Sequence, residues 1–397
     1  MQPVVAGRIS HTTDGLQFNY GQSYLERAEA IPLSSRELPL REGLQPLLPG
    51  LLMPGCIRDA SPDAWGRRVL LNKLAGKRGP DADPVSVGEL TYLLESGSDR
   101  IGALDFQRSA TEYTPRSGDT AKLDDLMEAA DRIERGLPLP EGLDTALLHG
   151  SSIGGARPKS TLMDGETPFI AKFSSSSDHF PVVKAEFVAM RLAARAGLDV
   201  ADVRLMQSAG RDVLLVKRFD RGPVPGGYHR RLMQSALTLL ELDEMMARYA
   251  SYERFADVIR HSFANPRATL HELFARLVFN ILCGNTDDHA RNHAAFWDGQ
   301  TLRLTPAYDI CPQLRSGGEA TQAMLIHGEN RFSRLDVCLD AARVFHLSHA
   351  EARGIVERQL EAIRAHWSEV ADEACLATAE RDFLWGRQFL NPYAFGK

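Results

Sequence analysis

The largely apolar run Leu273–Leu282 stops abruptly at Cys283-Gly284-Asn285-Thr286-Asp287-Asp288-His289-Ala290-Arg291-Asn292. The run reads as a helix buried on most sides, and the polar stretch as the loop that ends it. A core does not want such a loop, because each buried carboxylate or amide must find a partner or cost kilocalories. Loops that hold Asp, His and Asn at the end of a rigid helix are where chemistry tends to sit.

The spacing narrows the chemistry. Asp287 and Asn292 stand as D-x-x-x-x-N, the arrangement by which kinase catalytic loops place a carboxylate at the substrate hydroxyl and an amide oxygen on magnesium. About twenty residues on, beyond a hairpin expected over Ala294–Trp297 and Leu302–Leu304 with an Asp298-Gly299 turn, Thr305-Pro306-Ala307-Tyr308-Asp309 brings a second carboxylate. Magnesium takes hard oxygen ligands and keeps several waters, so carboxylate, amide and phosphates suffice. The bland alternative makes Asp287 and Asp288 caps of the next segment and Asn292 a turn residue. A zinc alternative through His289 and His293 lacks the intervening Glu of H-E-x-x-H and a third ligand. Two neighbouring carboxylates facing inward would raise one pKa, so Asp288 is expected to face solvent or a cation.

At 397 residues the chain is too long for one typical core, and two or three lobes are expected. Its 44% apolar and 25% charged content is that of a globular protein, and a net charge of −6 argues against a surface built for nucleic acid. Five scattered cysteines without a C-x-x-C pair fit a reducing compartment. With neither a signal-like N-terminus nor an apolar run of membrane-spanning length, a cytoplasmic protein is expected.

Residues 1 to about 55, rich in Gly, Pro and short alternating segments, suggest a small β-rich module. Ser61 and Pro62 fit an N-cap and first helical position, followed by a loop over Lys77–Pro84. Helices over Val87–Leu94 and Leu123–Glu134 are expected to flank a strand over Gly102–Gln107. From His149-Gly150-Ser151-Ser152-Ile153-Gly154-Gly155-Ala156-Arg157-Pro158-Lys159 the chain forms a small-residue loop. Its glycines let backbone N–H groups approach phosphate oxygens, although Ala156 stands where a Walker A loop requires Lys; a plain hairpin loop is the alternative. Strands over Thr161–Met163 and Phe169–Phe173 follow, the second carrying Lys172, which must reach solvent or meet an anion. A helix over Val183–Ala196 carries Glu186, and strands over Val203–Gln207 and Val213–Val216 precede a mostly helical remainder.

Together, Ser151–Lys159, Lys172, Val216-Lys217-Arg218-Phe219-Asp220-Arg221, Gly284–Asn292 and Thr305–Asp309 resemble the HipA family, bacterial serine/threonine kinases that act as toxins of toxin–antitoxin pairs. Pro62-Asp63-Ala64-Trp65-Gly66-Arg67-Arg68 resembles part of that family's N-terminal subdomain. The resemblance implies an α+β, bilobed protein-kinase-like fold with a small β-rich N-terminal subdomain and an α-helical C-terminal lobe. Its expected domains are an N-terminal subdomain over 1–110, a kinase N-lobe over 111–230 and a helical C-lobe over 231–397. It implies ATP and Mg2+ as cofactors, with Asp287 as catalytic base and Asn292 and Asp309 as metal ligands. Nucleotide binding would fall to Ser152, Gly154, Gly155, Lys159, Lys172, Glu186 and His289. Ser152, or Ser151 beside it, would be autophosphorylated, switching the kinase off.

Expected partners are a protein substrate and a small helix-turn-helix antitoxin, with DNA reached only through the latter and no membrane. The pattern departs at Arg231-Leu232-Met233-Gln234-Ser235-Ala236-Leu237, where many HipA-like chains carry an acidic pair, so the choice between ATP and GTP stays open. A small-molecule kinase of the aminoglycoside type and a non-catalytic nucleotide-binding corepressor are the alternatives.

Overall fold

The structure, a computed structural model, describes residues 3–75, 87–117, 122–137, 151–175, 178–315 and 317–396. The expected loop at Lys77–Pro84, His149 and Gly150, and the last two serines of the run at 174–177 lie outside the described residues. The chain divides into two compact units, one of Met1–Asp178 with Arg204–Met233 and one of His179–Val203 with Gln234–Lys397.

In the first unit, strands β1 (Gly7–His11) and β2 (Leu16–Tyr20) pair as an antiparallel hairpin. The rest of residues 21 to 55 is short turns and bridges, so the expected β-rich module amounts to one hairpin. Helix α1 (Ala64–Ala75) starts later than the Ser61-Pro62 signal suggests. Asp63 turns its carboxylate to the N–H of Gly155 at 2.6 Å, a bond outside the helix. Helices α2 (Glu89–Glu95) and α3 (Leu123–Glu134) form close to their expected bounds. Gly102–Gln107 is not a strand: Gly102 sits at φ +76°, and Asp105 binds Arg100 and Arg116 as an irregular loop.

Strands β3 (Lys159–Asp164), β4 (Thr167–Phe173), β5 (Val203–Ser208) and β6 (Arg211–Lys217) form a sheet of order β3-β4-β6-β5. Phe169, Ala171 and Phe173 alternate onto one core with Trp65, Val69, Leu126, Met127, Ile133, Val213 and Leu215. The two-residue period of a strand therefore puts Lys172 on the opposite face. A hairpin of β7 (Arg221–Val224) and β8 (Gly227–Arg230) follows, and β9 (Leu232–Ser235) carries the chain into the second unit.

In the second unit, α4 (Val182–Arg195) packs on α8 (His349–Glu373), with Arg191 bound to Glu373 at 2.7 Å and Arg195 to Glu369 at 2.6 Å. Between them in sequence come α5 (Tyr252–Ser262), α6 (Pro266–Cys283), a hairpin of β10 (Ala294–Trp297) and β11 (Leu302–Leu304), and α7 (Leu335–Asp340). The buried run ending α6 takes in Leu273, Phe274, Leu277, Val278, Ile281 and Leu282, so the helix is fixed on nearly all sides. Among the described residues no helix is long and apolar enough to cross a membrane.

Candidate functional site: the Asp287–Asn292 loop and the Ser151–Lys159 loop

The loop owes its direction to the end of α6. Gly284 stands at φ +74°, ψ +23°, and the N–H of Asn285 returns to the Asn280 carbonyl at 2.8 Å, closing the helix as a left-handed cap. An added Cβ would lie 2.7 Å from the carbonyl oxygen of Gln388. Gly284→Ala is therefore expected to lose about 2 kcal/mol or more, summing a left-handed backbone penalty of roughly 1–2 kcal/mol with a clash against backbone. Urea unfolding would read this as a lowered midpoint at unchanged slope. Behind the cap, the Asn285 amide donates to the Asn280 side chain at 3.0 Å, and Gln322 donates to the Asn285 carbonyl at 3.0 Å.

Beyond the cap the loop points Asp287 outward and the next residue inward. Asp287 is exposed, while Asp288 is 2% exposed. Of the two surroundings expected for Asp288, solvent or a cation, solvent is overturned, and the carboxylate meets an imidazole instead. Its carboxylate accepts from His293 Nε2 at 2.9 Å and from the Tyr252 hydroxyl. Burial alone would raise its pKa, but the facing His293 and the Tyr252 hydroxyl outweigh it and hold Asp288 below its usual value. No sequence signal links Tyr252 to this loop, because the contact spans α5 and α6.

Asn292 folds back on the same loop. Its Nδ2 donates to the Asp287 carbonyl at 3.0 Å, which turns its Oδ1 to the other side. The β10/β11 hairpin then returns the chain to Asp309. Arg276 holds that return to the segment before β5, donating to the Thr305 carbonyl at 2.9 Å and to the Asp199 carbonyl at 3.1 Å. Asp309 sits at φ +59°, a conformation rare for residues other than glycine and concentrated at functional sites. The Tyr308 hydroxyl donates to the Arg291 carbonyl at 2.8 Å and ties the two loops together.

Asp287 and Asp309 lie near enough for their charges to interact. Partial desolvation raises the Asp287 pKa, His289 pulls it down, and the carboxylates of Asp309 and then Asp288 push it up again, leaving it above its ordinary value. A carboxylate whose ionisation is opposed by a neighbouring one is a hard oxygen donor that a divalent cation would relieve. Among the described residues no three His, Cys, Asp or Glu side chains group as a metal site. Asp287, Asn292 and Asp309 offer oxygen donors, the kind that magnesium takes together with waters and phosphates. His289 is half-buried beside Asp287, and its Nδ1 is buried without a partner among the described residues.

The first unit holds the small-residue loop. Ser151 and Ser152 are 1% and 2% exposed. The Ser151 hydroxyl accepts the Gly97 N–H at 3.0 Å, and that of Ser152 donates to the Asp99 carbonyl at 3.2 Å. Gly155 stands at φ +103°, and a Cβ there would fall 2.1 Å from Lys159 Nζ, so the ammonium lies against the loop backbone. Gly154 faces the Asp63 carboxylate. The β3/β4 register sets Lys159 opposite Lys172, so two lysines share one face of the sheet, where like charges favour an anion. Glu186 is buried in α4 of the second unit. Sequence reasoning missed Asp63, whose carboxylate supports the glycine loop from a distant segment.

A model of the HipA N-terminal domain matches residues 1–107, and one of the HipA-like C-terminal domain matches residues 151–367. Y4mE of Sinorhizobium fredii, provisionally assigned as a kinase, is 26% identical over 338 residues, 77% of this chain and 74% of that one. Serine/threonine-protein kinase toxin HipA of Shewanella oneidensis is 28% identical over 183 residues, 40% of this chain and 42% of that one. A chain in the solved complex of Shewanella oneidensis MR-1 HipA, HipB and operator DNA matches with a TM-score of 0.67, covering 98% of this chain and 97% of that chain at 21% identity. The fold is thus the α+β, protein-kinase-like one that the motifs imply. With one family domain at its start and the other over more than half its length, the chain belongs to the HipA family.

Proposed function

We propose that the chain is an ATP-dependent serine/threonine protein kinase that phosphorylates a cellular protein and its own Ser152, as the toxin of a pair completed by a small helix-turn-helix antitoxin. The observation that carries the reading is the Asp287–Asn292–Asp309 constellation: the Asn292 amide is tied to the Asp287 carbonyl at 3.0 Å, the Tyr308 hydroxyl ties the Asp309 loop to the Arg291 carbonyl at 2.8 Å, and Asp309 is near enough to push up the Asp287 pKa. Asp287 accepts the proton of the attacking hydroxyl, and Asn292 and Asp309 are the residues that would hold magnesium. Bound Mg·ATP supplies the transferable phosphoryl group and a counter-charge for it. In the first unit Lys159 and Lys172, with the backbone at Gly154 and Gly155 and the Ser152 segment, hold phosphate oxygens; in the second unit Glu186 and His289 take the nucleotide-binding roles that the family resemblance implies. Most of the rate then comes from positioning and charge neutralisation.

The relative named a serine/threonine-protein kinase toxin supports the class of reaction, and the complex with HipB and operator DNA supports an antitoxin partner that carries the DNA contact. Modification of Ser152 requires the loop to leave its seat, since both serine hydroxyls are buried.

Incubation with magnesium and labelled ATP, followed by mass mapping, tests the reading. Phosphate on Ser152 is the expected result. Nucleotide binding without any phosphoprotein would favour the corepressor alternative, and transfer only to an added aminoglycoside would favour the small-molecule kinase. Asp309→Asn is expected to weaken Mg·ATP binding by at least about tenfold, because Asp309 supplies the carboxylate of the proposed ligand pair and Asn292 only a neutral amide oxygen. Unchanged affinity in a calorimetric titration would remove Asp309 from the metal site.

A further inference from the structure

We propose that Asp288 and His293, backed by Tyr252, are positioning residues that clamp both ends of the Asp287–Asn292 loop. The proposal rests on reading Asp287 as the base and Asn292 as a metal ligand. Asp288 directly follows the one, and His293 directly follows the other. Their side chains meet at 2.9 Å, so a single polar contact closes the loop on itself behind the reactive groups.

A second closure lies beside the first, where the Asn292 amide and the His289 N–H both donate to the Asp287 carbonyl, at 3.0 and 2.8 Å. The outer rim is pinned as well, because the His293 carbonyl accepts the Ala236 N–H at 2.7 Å and the Ala290 carbonyl accepts that of Leu237 at 3.2 Å. The clamp is anchored in the helices. Tyr252, the first residue of α5, gives its hydroxyl to Asp288 and sets its ring edge-on to His293 at 5.6 Å, with Phe255 at 6.1 Å from the same imidazole. Asn280, near the end of α6, also reaches the Tyr252 hydroxyl.

Burial argues that this contact is not there for stability alone. Asp288, His293 and Tyr252 are each at most 2% exposed, and His293 Nδ1 is buried without a partner among the described residues. A well-packed apolar trio at such a place is commonly as stable as a buried ionic one, or more so. What an apolar trio lacks is direction: hydrogen bonds fix the Asp288 carboxylate, and through one intervening bond of backbone they fix which way Asp287 faces.

Asp288→Asn, compared with wild type, His293→Gln and His293→Phe, tests the clamp. The Gln amide nitrogen can replace Nε2 as donor, whereas Phe fills the space without one. Asp288→Asn and His293→Phe are expected to lower kcat by about 10–100-fold with KM for Mg·ATP within twofold of wild type, and His293→Gln to recover most of it. Hydrogen exchange is expected to quicken at residues 285–293 and not along α6. Wild-type kcat in Asp288→Asn, equal loss in the Gln and Phe variants, or exchange that quickens throughout the unit would overturn the proposal. If Asp288→Asn does not fold, the His293 pair decides. If the wild type itself makes no phosphoprotein, the kinase reading fails separately, and exchange alone decides: unchanged rates at 285–293 refute the clamp, and locally faster rates uphold it.

Discussion

Asp287→Asn is expected to lose phosphoryl transfer by about 10²–10⁴-fold, the usual contribution of a positioned proton acceptor, while leaving the protein folded. The two halves of that expectation have separate causes. An amide keeps the shape of the carboxylate but cannot take the hydroxyl proton. Stability does not suffer, because Asp287 is exposed and its ionised form is disfavoured where it stands, by partial desolvation and by Asp309 and Asp288. A group whose folded pKa lies above its unfolded one costs stability once it is ionised, so removing the charge at neutral pH leaves the melting temperature unchanged or slightly raised. Labelled phosphate transfer and a thermal melt on one preparation check both halves. Turnover near the wild-type rate would sink the assignment of the base, and a large drop in melting temperature would make Asp287 a residue of the fold instead.

The contrast between Asp287 and its neighbour shows what was legible in the sequence. The D-x-x-x-x-N spacing, the helix before it and the hairpin after it are local features, written in apolar periodicity and a turn dipeptide. The structure places them where that reading expects: α6 runs to Cys283, and Ala294–Trp297 pairs with Leu302–Leu304. Which of two adjacent aspartates faces inward is not local. It depends on a tyrosine at the start of α5 and on a histidine that sequence reasoning considered only as a zinc ligand. The same holds in the first unit. The alternation that sends Lys172 away from the core is a strand property, but the carboxylate under Gly155 comes from Asp63, about ninety residues earlier. Ser61-Pro62 misleads as well: the helix starts at Ala64, and the Asp63 carboxylate just before it accepts the distant Gly155 N–H. Gly102–Gln107 looks strand-like by composition, yet its polar groups are spent on arginines.

The largest expected effect on stability lies at another arginine, Arg218, which donates to the Arg100 carbonyl. Arg218→Met is expected to destabilise the first unit by about 3–5 kcal/mol, the cost of leaving a buried charge short of its partner. Arg218 is fully enclosed and donates to Asp220 through Nε at 3.0 Å and Nη2 at 2.7 Å, to the Asp99 carboxylate at 2.8 Å and to the Arg100 carbonyl at 2.6 Å. Asp220 also accepts from Arg221 at 2.8 Å and from the Gly102 N–H at 2.8 Å. Methionine fills much of the volume but satisfies none of these acceptors. Burial would raise the Asp220 pKa, but Arg218 first and Arg221 after it hold it below its ordinary value. A depressed folded pKa contributes stability that is present above the unfolded value, about 3.9, and is lost as pH falls through the lower folded one. The deficit of the variant is therefore expected to be constant from about pH 5 to 8 and to shrink only in stronger acid, where Asp220 in the variant takes up a proton. The effect reaches the serine loop, because the segment that Arg218 holds includes Asp99, whose carbonyl seats the Ser152 hydroxyl. Urea unfolding across that pH range reads the energy, and amide exchange at residues 97–102 reads the seat; a deficit under 1 kcal/mol with unaltered exchange would show that the network neither stabilises the unit nor holds the loop.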